Sequence, residues 1–154
     1  MTGIQRYSPA TFESSVKNSE IRDNWEVVLA YHEEGPGPWV VELSNKTRWD
    51  VQDSQIDDLS PKGITLPSDP GTCAFNKELL VNRMNGTQAA IWHLGDQEMR
   101  LPDVKGCTDV TESTVFLALF GSDAFHVAEK LTALDLTDPV RTAPFLLQGP
   151  LCHV

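Results

Sequence analysis

Apolar positions recur with a period of two along much of the chain. Trp25, Val27, Leu29 and Tyr31 alternate with Glu26, Val28 and Ala30, which predicts a strand. Gly35-Pro36-Gly37-Pro38 breaks that pattern, and Trp39 to Leu43 forms the next strand candidate. Thr47, Trp49 and Val51 alternate with Arg48, Asp50 and Gln52, predicting a third strand with one wet face. Phe75 to Met84 reads as a short helix or a strand, and Asn85-Gly86 as a turn. Gln88 to Leu94 is a further strand, Gly95-Asp96 its turn and Gln97 to Leu101 a returning strand.

The pattern changes after Thr108. Thr114 to Phe120 is a β-branched and aromatic run that suits a buried strand, and Gly121 ends it. Ser122 and Asp123 suit a helix start, so a helix is expected from about Asp123 to Ala133. Ala124, Val127, Ala128, Leu131 and Leu134 then share one apolar face, with His126, Glu129 and Lys130 turned away from it.

Other stretches lack a period. Residues 53–72 are dense in proline, glycine, serine and aspartate around Ile56, Leu59, Ile64 and Leu66, the composition of a loop lying over a core. Residues 1–24 are polar with isolated apolar side chains, and read either as one short helix from Pro9 to Lys17 or as an arm that orders against a partner. Pro139 to Thr142 reads as a connection and Ala143 to Val154 as a last apolar segment. Paired strands with single helices predict an α+β domain over residues 25–154: a mostly antiparallel sheet with one or two packed helices. An all-β barrel with one helix is the alternative.

Twenty-two acidic residues against twelve basic ones leave a formal charge of −10 in 154 residues, which disfavours nucleic acid and anionic membrane surfaces as partners. The acidic residues are dispersed, as on a well-hydrated surface. Three cysteines, Cys73, Cys107 and Cys152, with no leader-like N-terminus, point to a reducing cytoplasm. No apolar run approaches the roughly twenty residues that cross a bilayer.

Three segments resemble a known family. Trp39 to Gln52 carries a Leu43-Ser44 pair followed by an apolar-x-Val-Gln ending at Gln52, Ile91 to Glu98 contains Leu94-Gly95-Asp96-Gln97-Glu98, and Asp109-Val110-Thr111 leads through Gly121 and Ala124 to Leu134-Asp135-Leu136. In order and spacing these resemble the glycine-cleavage T-protein superfamily and the gamma subunit of heterotetrameric sarcosine oxidase. The second segment lacks the family's proline and tryptophan. The resemblance implies a T-protein folate-binding-like domain that is either completed by a partner or a shortened variant, since related gamma subunits continue beyond the position of Val154. It implies one of two functions. The first, favoured by the chain's length, is a non-catalytic gamma-type companion that stabilises a heteromeric amine-oxidising flavoenzyme of one-carbon metabolism. The second is a folate-dependent methyltransferase or demethylase subunit completed by another chain. Tetrahydrofolate and flavin would then belong to the complex, and the partners would be its other protein subunits.

Individual side chains add little chemistry. The T-protein's catalytic aspartate has no match here, and Asp109, the nearest substitute, reads better as a residue bonding its own backbone. Cys73, Cys107, Cys152 and His153 contain no Cys-x-x-Cys pair, so neither a zinc site nor a cysteine nucleophile is expected. His32 reads as a solvated loop residue and His93 as a satisfied core residue. Trp25, Trp39, Trp49 and Trp92 are expected in the core, with Trp49, between Arg48 and Asp50, the most exposed of them. Tyr7, Phe12 and Trp49 are therefore the candidate interface residues, and no catalytic or metal-binding residue is assigned.

Overall fold

The computed structural model describes residues 4–97, 99–100 and 102–131. In chain order these hold nine strands and one short helix: β1 (Val16–Arg22), β2 (Trp25–Tyr31), β3 (Trp39–Glu42), β4 (Arg48–Gln52), β5 (Thr72–Asn76), β6 (Leu79–Asn85), β7 (Gln88–His93), β8 (Cys107–Asp109), β9 (Leu117–Phe120) and α1 (Ala124–Ala128). The architecture is α+β and dominated by antiparallel sheet. Among the described residues no helix is long and apolar enough to cross a membrane. The chain divides into two compact units, residues 4–45 with 112–124 and residues 46–111 with 125–131.

The first unit is built from two ribbons. β1 and β2 form an antiparallel hairpin closed by Asp23 and Asn24, both at positive φ (48° and 65°), the conformation that a two-residue turn requires and that these short polar side chains tolerate. Ahead of it, Arg6 runs beside the start of β2: its N–H donates to the Asn24 carbonyl at 2.7 Å, and its carbonyl accepts from Glu26 N–H at 2.9 Å. β3 pairs with β9 in the register Trp39 with Phe120 and Glu42 with Leu117. Gly121 follows at φ 116°, and a Cβ there would lie 3.1 Å from Pro38 Cα, so the glycine lets the two chain segments close up.

The second unit is a five-stranded antiparallel sheet in the order β5-β6-β7-β4-β8. Alternation puts Ala89 and Ile91 of β7, Trp49 and Val51 of β4 and Val81 of β6 on one face, where Ile56 and Ile64 from the 53–72 loop cover them. Pairing aligns Arg83, Ala89, Val51 and Cys107 across four strands. Arg83 thus occupies an inward position, opposite an alanine small enough to leave it room, and is 2% exposed.

Several expectations are corrected. The segment before Trp25 contains strand β1 and the Arg6 bridge, not a helix from Pro9 to Lys17, and it pairs with its own chain. A two-stranded ribbon leaves both faces partly wet, so β1 carries no alternation to read. Residues 75–84 span a hairpin, β5 into β6, turning at Lys77 (φ 55°). No strand occurs at the described residues between 97 and 101; β8 takes the edge beside β4. β4 lies between β7 and β8 and keeps no wet face at its start, for Arg48 is 5% and Trp49 1% exposed. Helix α1 is five residues long and gives way to a turn at 129–131, short of the expected run to Ala133, whose last two positions lie outside the described residues. The reading of 53–72 as a loop over the core holds, with two 3-10 turns at Ile56–Asp58 and Pro61–Gly63.

Candidate functional site

A cleft of about 280 Å³ opens in the first unit, walled by β2, β3 and the segment around Phe12. Its lining residues include four aromatics, Phe12, Trp25, Tyr31 and Trp39, and three glutamates, Glu26, Glu34 and Glu42. No lysine, arginine or histidine is among its described lining residues. β2 supplies Trp25, Glu26 and Tyr31, and β3 supplies Trp39 and Glu42, so both ribbons shape it.

The walls are held by short-range bonds. Phe12 meets Tyr31 edge-on at 5.6 Å between ring centroids. Trp39 Nε1–H donates to the Gly35 carbonyl at 3.1 Å, and Tyr31 N–H donates to Glu34 Oε1 at 2.7 Å. The Ser8 hydroxyl touches Glu42 Oε2 and lies 2.7 Å from the Ala10 carbonyl, yet it has one proton to give. Glu42 Oε1 is buried and accepts no hydrogen bond from the described residues. Burial, then the charges of Glu42 and Glu34, push the Tyr31 hydroxyl pKa above 10.0.

The residues singled out from the sequence are scattered. Tyr7 is 63% exposed and outside the cleft lining; Phe12 is half-buried within it. Trp49 corrects the expectation of exposure: it is 1% exposed, in the core of the second unit, with the Lys62 ammonium 5.6 Å from its ring centroid. The polar neighbours Arg48 and Asp50 project to the opposite side of β4, which is why they misled. Asp109 Oδ1 accepts from Thr111 N–H at 2.9 Å, the local backbone bond expected of it. His32 is exposed, and His93 is 3% exposed with Glu78 Oε2 3.4 Å away. Cys73 lies in β5; Cys107 is a free thiol whose pKa is raised by burial, with Asp50 and Asp109 adding to the effect. Cys152 and His153 lie outside the described residues. Sequence reasoning passed over Glu42 and Tyr31. The legible signal for Glu42 was a lone carboxylate in the apolar run Trp39 to Leu43.

A second feature lies on the β3–β9 ribbon. Trp39 (45% exposed) and Phe120 (52%) share one face, while Val40 (49%) and Leu117 (49%) emerge on the other. Compared with family models, with curated proteins and with solved structures, the chain matches none.

Proposed function

We propose that the chain is a non-catalytic, protein-binding subunit, and in narrower form a gamma-type companion stabilising a heteromeric amine-oxidising flavoenzyme of one-carbon metabolism in the cytoplasm. The observation that carries the broad reading is the β3–β9 ribbon, a two-stranded sheet that keeps large apolar side chains in water on both faces. Such a ribbon is marginal alone, because it has no covered face and its outer edges leave backbone groups for another strand to pair. A partner strand or apolar surface would relieve both. The narrower form, including a T-protein-like fold and a flavoprotein partner, is supported by the motif resemblance over residues 39 to 138.

The test is purification of the tagged full chain from its native host, with mass spectrometry and flavin absorbance of whatever accompanies it. A flavoprotein in fixed stoichiometry, lost in Val40→Lys and Phe120→Lys but retained in Tyr7→Ala, is the expected result. A monomer without a flavoprotein overturns the narrower reading. A partner indifferent to both ribbon variants overturns the assignment of the ribbon. Tetrahydrofolate raising the melting temperature of the isolated chain would favour the folate-dependent alternative instead.

A further inference from the structure

We propose that Asn85 is a site of spontaneous covalent modification, at which the folded β6–β7 turn promotes deamidation of the side-chain amide and directs the product to isoaspartate. In this reaction the Gly86 backbone nitrogen attacks Asn85 Cγ and loses its proton to water or hydroxide. The new C–N bond closes a succinimide ring as the bond from Cγ to Nδ2 breaks, and Nδ2 leaves as ammonia. Water then opens the ring at one of its carbonyls and leaves a carboxylate there.

The turn favours attack from both sides of the new bond. Asn85-Gly86 is the one Asn-Gly pair in the sequence, and glycine places no side chain beside the attacking nitrogen. Both residues are exposed, a Cβ on Gly86 would meet nothing within 4 Å, and the Gly86 N–H donates to no group among the described residues. Water and base therefore reach it. The electrophile is polarised as well. Thr87 N–H at 2.9 Å and the Thr87 hydroxyl at 3.2 Å both donate to Asn85 Oδ1, the oxygen that gains charge when Cγ becomes tetrahedral. Asn85 Nδ2 donates to Gln88 Oε1 at 3.3 Å, which holds the amide with its oxygen toward Thr87.

Arg83 acts on the nucleophile and on the product. Its guanidinium, on a residue 2% exposed, donates through Nε to the Asn85 main-chain carbonyl oxygen at 2.7 Å. That oxygen shares a peptide group with the Gly86 nitrogen, so it takes up negative charge as the nitrogen loses its proton, and a fixed cation there lowers the cost. A second bond, from Nη2 to the Gly86 carbonyl at 3.0 Å, polarises the next peptide group and strengthens Thr87 N–H as a donor. Ring opening at the Asn85 main-chain carbonyl frees it as a carboxylate and leaves the chain running through Cγ, which is isoaspartate. Arg83 polarises that carbonyl for attack by water and then pairs with the carboxylate it becomes, whereas its present acidic partner, Asp57, is 73% exposed. The site shares no residue with the β3–β9 ribbon and does not depend on the proposed partner.

The experiment incubates the full chain in mildly alkaline buffer, folded or in urea, and follows the tryptic peptide 84–100 by mass spectrometry, with chromatography separating isoaspartyl from aspartyl forms. The folded chain is expected to deamidate at Asn85, with an isoaspartyl-to-aspartyl ratio about twofold or more above that in urea. Thr87→Val, at an exposed position, removes one donor from Oδ1. It is expected to slow deamidation about threefold or more in the folded chain and to leave the rate in urea unchanged, a smaller effect than in a closed active site because water competes. Should Thr87→Val fail to fold, the product ratios of the unaltered chain decide alone. A folded chain that stays intact while the urea sample reacts, equal product ratios in the two states, or a folded Thr87→Val that reacts as fast as the unaltered chain would overturn the proposal.

Discussion

Gly106 and Gln52 lie back to back across the edge of the second unit's sheet. The Gln52 N–H donates to the Gly106 carbonyl at 2.8 Å, Gly106 takes φ 82°, and a Cβ on it would overlap the carbonyl oxygen of Gln52. Both the backbone conformation and the space therefore demand glycine. Gly106→Ala is expected to destabilise the protein by about 3 kcal/mol or more, read from urea denaturation, while Gly35→Ala, where a Cβ meets nothing within 4 Å, stays within about 0.5 kcal/mol. Equal effects would show that the β4–β8 edge is not packed as described.

Arg83 separates hydrogen bonding from ion pairing. Its guanidinium donates to the Asn85 carbonyl at 2.7 Å and the Gly86 carbonyl at 3.0 Å, and meets Asp57 Oδ1 at 3.0 Å. Asp57 is 73% exposed, so water screens that pair. Asp57→Asn should therefore cost no more than about 1 kcal/mol. Arg83→Met leaves two turn carbonyls without their donor and should cost about 2–4 kcal/mol in the same measurement.

Tyr31 gives the first unit an alkaline limit. Its hydroxyl pKa is raised in the folded protein, so the folded state holds this proton more tightly than the unfolded state does. Its contribution to stability is complete below the ordinary value of 10.0 and is lost as pH rises from there through the higher folded value. Tyr31→Phe should flatten the fall in melting temperature above about pH 10, while an unchanged slope would assign that fall to other groups.

Cys107 should be a slow nucleophile. Burial raises its pKa from 9.0, so little thiolate is present near neutrality. Peptide mapping after iodoacetamide treatment at pH 8 is expected to show Cys107 modified about tenfold more slowly in the folded chain than in urea. Equal rates in both states would contradict its packing against the core.

Strand bounds were legible from periodicity at several elements. Trp25 to Tyr31, Trp39 to Leu43 and Gln88 to Leu94 match β2, β3 and β7 to within a residue at each end. Periodicity failed at β1, where none of the seven residues is buried and Val16 and Ile21 are 48% and 58% exposed, since a strand that buries nothing imposes no alternation. The environment of Trp49 was missed because its polar neighbours Arg48 and Asp50 outweighed its alternation with Val51, which puts it on the face that Ile56 and Ile64 cover. The cleft was invisible because its parts are far apart in sequence. Phe12 was noticed as an isolated aromatic, yet its meeting with Tyr31, and Glu42 with Ser8, depends on segments separated by 19 and 34 residues.

By itself the sequence determined the antiparallel, sheet-rich character, the loop over the core, the Asn85-Gly86 turn and the acidic surface, since backbone propensity, turn chemistry and charge act over a few neighbouring residues. Tertiary structure alone decided the division into two units, the burial of Arg83 and Trp49, and the gathering of aromatic rings and carboxylates into one cleft. Those outcomes depend on which strands pair and in what register, and a one-residue change of register moves every side chain to the other face.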